Sequence, residues 1–171
     1  AATAASAADT VTVSDTDGTA ADIATLSARG VTVTGLTAVD TAANLTAMDS
    51  ALLASLNSVT VSDNGAVTQN VAALAKIYSA DGSAYGNYSI SDTAAAVAGA
   101  NDTNNGGNVG LANFATAITL STDATVAEAA NLEGITLKGG GGIAYNVTGT
   151  ATALATADAA DMSAAVNLIA S

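Results

Sequence analysis

The chain has 171 residues, half of them apolar and chiefly Ala and Val, with four Tyr and one Phe as the aromatic side chains. Three cations, Arg29, Lys76 and Lys138, face fifteen carboxylates for a net charge of −12, which argues against partners built on nucleic-acid phosphates and disfavours an anionic membrane surface. The lack of Cys and His removes disulfides and the usual ligands of zinc, iron and copper, and no run of about 18 apolar residues is present to insert in a membrane.

Ala1 to Ala8 is uncharged and lacks the basic start of a signal segment. It reads as the opening of a processed or trimmed chain, or as part of a lead-in or assembly arm over residues 1–10. The first strand signal is Val11-Thr12-Val13-Ser14-Asp15, β-branched residues that suit a pleated surface. A helix follows over Ala20 to Leu26, closed by Gly30. Val31-Thr32-Val33-Thr34 reads as the next strand. Leu45, Met48, Leu52 and Leu56 then form one stripe of a helix running from Ala42 to Leu56.

Val59-Thr60-Val61-Ser62-Asp63 repeats the strand phrase, turns at Asn64-Gly65, and leads to a helix from Val67 to Ile77. Tyr88 to Asp92 with Ala94 to Val97 makes another strand and short helix. Ala100 to Gly110 reads as an exposed Asn/Gly loop. Ile118 to Ser121 and Ile135 to Leu137 read as strands flanking a helix from Val126 to Leu132. Lys138 to Gly142 is a flexible turn before a hairpin or edge strand over Ile143 to Val147. Met162, Val166 and Ile169 place a C-terminal helix over Ala157 to Ala170.

The strand signals start 20, 28, 29, 30 and 17 residues apart, which points to one repeated unit. The Asp after several strands suits the free amides and positive dipole end of a helix start, at about 1 kcal/mol per cap. The expected fold is therefore α/β: strand–turn–helix units with mostly parallel strands, solenoid-like or layered, over residues 11–99. An irregular C-terminal third of degenerate repeats spans 111–171.

VTVSDT, DTAANLTAMDSALLASL, VTQNVAALAKI and YSISDTAAAV resemble the degenerate repeats of large bacterial surface and type I-secreted adhesin-like proteins. The first phrase of that pattern matches at Asp40 to Leu45 and in part at Ser91 to Val97, the second at Ala72 to Ile77. The likeness runs from Val11 to Val97 and weakens beyond. It implies export, an extracellular or cell-surface location, and an adhesive or scaffolding part. It brings no catalytic residues.

The candidate metal ligands are Asp15, Asp17 and Asp22, in a stretch that opens like a calcium loop but has no bidentate Glu twelve positions on. Helix caps and solvated turns are the competing account of the same acids. No nucleophile elbow occurs, and KGGGG at Lys138 lacks the ending of a phosphate loop. Glu128 and Glu133 lie on one helix without an apolar pocket, so they read as a solvated face rather than a catalytic pair. Asn44, Asn87, Asn101 and Asn146 fit the glycosylation pattern, which a Thr- and Asn-rich chain produces by chance.

These observations lead to a structural, non-enzymatic subunit that polymerises with its own copies through strand edges or repeat ends into a filament, surface layer or biofilm matrix. No cofactor, nucleic acid or membrane insertion is expected, and a surface or carbohydrate receptor is a further partner class. The alternative is a calcium-dependent module of a large adhesin, acting as a monomeric link.

Overall fold

The computed structural model describes residues 17–63, 65–78, 87–101 and 109–171. They form an α/β fold with three three-stranded sheets and eight α-helices. The first sheet holds β1 (Asp17–Gly18), β2 (Thr37–Asp40) and β3 (Ser58–Val61), joined by α1 (Ala20–Ala28), α2 (Ala42–Ala47) and α3 (Ser50–Ser55). The second holds β4 (Val67–Gln69), β5 (Tyr88–Asp92) and β6 (Ala117–Leu120), with α4 (Val71–Ile77), α5 (Ala94–Asn101) and α6 (Val109–Asn113). The third holds β7 (Ala124–Thr125), β8 (Tyr145–Gly149) and β9 (Ala165–Ala170), with α7 (Val126–Glu133), α8 (Ala151–Thr156) and a 3-10 turn at Ala160–Met162. Every strand pair is parallel, as strand–helix–strand connections favour.

Alternation along the strands puts Ala38, Val59, Ile90 and Val147 in the core and polar neighbours outside. The helices answer with Ile23, Leu45, Leu53, Leu74, Val97 and Leu132, all buried. Buried alanines on the helices, among them Ala42, Ala73, Ala94 and Ala129, let helix and sheet close up without voids. Two clusters result: one under the first sheet, the other shared by the second and third, with Val61 and Ile77 packed against both.

The acid after the strand caps a helix, but not the one expected. Six of the helices are capped locally by their own preceding residue: Thr19, Thr41, Asp49, Asn70, Thr125 and Thr150 accept from amides three residues on. The strand-end acid instead reaches back one unit. Asp40 accepts from the Ala20 amide at 3.0 Å, Asp63 from Ala42 at 3.0 Å and Asp92 from Val71 at 3.0 Å. Thr122 does the same for Ala94 at 3.0 Å. In each case strand register sets the stapling side chain beside the first amide of the previous helix. The staple thus joins neighbouring units rather than one turn. At Gly65 it demands glycine, because a Cβ there would lie 2.8 Å from that of Ala42.

Several sequence expectations change. Val31–Thr34 and Ile135–Leu137 are coil; both follow directly on a helix, and the strand comes only after the chain has returned to the sheet, at β2 and β8. The helix expected over Ala42 to Leu56 breaks at Met48-Asp49. Gln69, buried on β4, points its Nε2 at the carbonyls of Leu45, Thr46 and Met48 (2.8–3.1 Å) and so satisfies the freed end of α2. The helix expected from Val67 starts at Val71, because Val67–Gln69 pairs with β5. Ile143 to Val147 leads into β8, the central strand of its sheet and no hairpin. Ala157 to Ala170 is not a helix: its second half, a continuous apolar run broken only by Asn167, pairs with β8 as β9, the edge strand. The Asn/Gly loop lies largely outside the described residues, α5 ending at Asn101 and α6 starting at Val109.

Candidate functional site: the open strand edges

The sheets leave two kinds of unpaired edge. β3 and β6 border open grooves where one sheet ends and the chain steps to the next. The first, of about 420 Å³, is walled by Val59–Val61 with Ile77, Tyr78 and Asn87. The second, of about 380 Å³, is walled by Ile118–Leu120 with Ala144–Asn146. A further edge strand, of the second kind, is β9. Its partner β8 lies on one side only, and Val166, Leu168 and Ile169 are 63%, 54% and 39% exposed. Three large apolar side chains in four residues on an open edge strand are what soluble monomers avoid. The helix before β9, α8, buries none of its residues.

Glu133, at the end of α7, sets the position of β9. Its carboxylate accepts from the Ser163 hydroxyl and from the Ala164 amide at 2.9 Å, just ahead of the strand. The Ser163 bond first, then the Ala164 amide, hold its pKa below the usual carboxylate range. The buried Tyr145 hydroxyl lies 3.2 Å from the same carboxylate. Burial first, then Glu133, push Tyr145 up to about 12. Glu128 is used differently: its side chain accepts from the Thr125 amide at 2.8 Å and closes a capping box. Both Glu are thus engaged in hydrogen bonds that order the third sheet, Glu128 within its own turn and Glu133 across to the start of β9.

A polar ladder crosses that sheet on its outer face. Asn146 Nδ2 donates to Asp123 at 3.0 Å, and Asn167 Nδ2 donates to Asn146 Oδ1 at 3.0 Å. Comparable rungs join Thr37 to Ser58 and Ser89 to Thr116. Sequence reading missed the ladder because its members are ordinary polar residues until register aligns them.

Of the calcium candidates, Asp15 lies outside the described residues. Asp17 opens β1, and Asp22 sits in the first turn of α1, accepting from the Thr19 hydroxyl at 2.7 Å. Among the described residues no group of three or more His, Cys, Asp or Glu side chains comes together. Among them, too, no helix is long and apolar enough to cross a membrane. No family model, curated protein or solved structure matches the chain.

Proposed function

We propose that this is a structural, non-enzymatic protein of the bacterial exterior, a subunit that builds a filament, surface layer or biofilm matrix by strand-edge pairing with its own copies. The observation that carries the reading is β9: an edge strand, open on one side, with Val166, Leu168 and Ile169 exposed, beside a helix with no fully buried residue. Covering that strand removes apolar surface from water and satisfies a row of backbone groups together.

The parallel sense of every ladder favours a polymer over a dimer. A two-fold axis pairs β9 with β9 in antiparallel fashion and closes. Continuing the parallel ladder joins two different edges, and such contacts repeat without closing. The high negative charge and the likeness to surface-protein repeats support the extracellular setting. Electron microscopy and sedimentation of the purified chain over rising concentration test this. Filaments or sheets are expected; monomers throughout, or a species that stops at two, overturn it.

A further inference from the structure

We infer that the strand which covers β9 is Val11–Ser14 of a second copy, added in parallel with Thr12 beside Asn167; this rests on the self-assembly reading above. The first ground is the polarity of the ladder. A carboxylate only accepts, so Asp123 obliges Asn146 to donate its amide and to offer its Oδ1 to Asn167. The carboxylate therefore fixes which way both amides are turned. Asn167 spends an N–H on Asn146, and its Oδ1 is left as the last acceptor of the series. A strand that joins β9 must bring a donor to that register.

The second ground is a sequence identity within the chain. Residues 11–15 read VTVSD, and so do residues 59–63. The second copy of the pentapeptide shows what these residues do when they meet a parallel edge. Val59 pairs beside Ala38 and is buried, Thr60 stays on the outer face, and the Ser62 amide donates to the Asp40 carbonyl at 2.8 Å. The pentapeptide thus alternates correctly for docking onto an edge whose inner face is apolar.

The two grounds meet in one register. Asn167 shares the outer face of Asn146, while Leu168 stands beside the buried Val147. With Thr12 beside Asn167, the Thr12 hydroxyl supplies the missing donor and Val13 covers Leu168 on the core side. Shifting by one residue sets Val beside Asn167 and Thr or Ser beside Leu168, which loses both matches.

The chain has no Cys, so engineered thiols report this contact cleanly. Thr12→Cys and Asn167→Cys chains, made with different masses, are mixed and oxidised under assembling conditions. Disulfide-linked heterodimers are expected at roughly tenfold the yield of a Val13→Cys and Asn167→Cys mixture, whose side chains point to opposite faces. In the otherwise unaltered chain, Leu168→Lys is expected to raise the concentration needed for assembly by about tenfold or more, with the circular dichroism of the fold unchanged. Equal linking of the two mixtures, or assembly indifferent to Leu168→Lys, overturns this register while leaving self-assembly standing. A chain that never assembles overturns both.

Discussion

The first and third sheets use the same strand–helix grammar and differ in how each unit is tied to the one before. In the first, Asp40 and Asp63 each bridge to the opening amide of the preceding helix. In the third, Gly149 holds the equivalent register beside Val126, and a Cβ there would already stand 3.3 Å from Val126 Cγ2. Glycine brings no side chain to staple with, and α7 relies on its own capping box. The first sheet is covered by α1, α2 and α3, each with buried residues, whereas the third ends in an exposed strand and a helix with no fully buried residue. A unit is thus held by two separable devices, the backward staple and the covered face; in the third sheet α7 goes without the first and α8 without the second.

The widest gap between the two regions concerns burial. Leu53 is fully buried in the core of the first sheet, so Leu53→Ala should cost about 2–5 kcal/mol, seen as a large drop in the chemical denaturation midpoint. The staple comes next. The Asp63 carboxylate accepts from the amides of Ala42 and Gly65, and Asp63→Ala should cost about 1–2 kcal/mol. Asp63→Asn, which keeps an acceptor oxygen, should recover part of that loss. If Asp63→Ala unfolds no more easily than the parent, the staple is not what separates the two regions.

Composition and phrase spacing made the α/β class, the parallel pairing and several helix starts legible, because β-branched runs and Thr or Asn caps act locally. What escaped depended on contacts from afar. Gln69 splits a helix that Leu45, Met48, Leu52 and Leu56 advertise as continuous, and it lies more than twenty residues from the carbonyls it meets. Asp40, Asp63 and Asp92 were recognisable as caps, yet only strand register says that they serve the previous unit. The edge strand was hidden because Met162, Val166 and Ile169 fit a helical stripe, and pairing with β8 decides the matter. The exposed edge itself had no local signature at all.

Acid should affect both regions, by different groups and by less than the staple deletion. Asp40 is held below the ordinary Asp range by Asn44 first, then by the amides of Thr41 and Ala20; Glu133 is held down by Ser163 and Ala164. A depressed carboxylate contributes stability that is present above its unfolded value, about 4 for Asp and Glu, and is lost as pH falls through the folded one. The melting temperature should therefore fall as pH drops below about 4. Asp40→Asn should flatten part of that fall and Glu133→Gln another part. Tyr145, raised to about 12, has the opposite sign. Its contribution is complete below its unfolded value near 10 and is lost as pH climbs toward the folded one, so Tyr145→Phe should blunt alkaline unfolding.

The smallest expected effect is the most discriminating. Leu168 and Leu53 are the same residue type in the same fold, and a hydrophobicity scale treats them alike. Leu168 stands 54% exposed on β9, so replacing it with Lys removes little from the core of the isolated chain. The change in unfolding free energy under dilute, non-assembling conditions should stay within about 0.5 kcal/mol. A loss on the scale of Leu53→Ala would mean that β9 is already covered within one chain. A null result in dilute solution, set beside a strong effect on assembly, would mean that this leucine faces a neighbour.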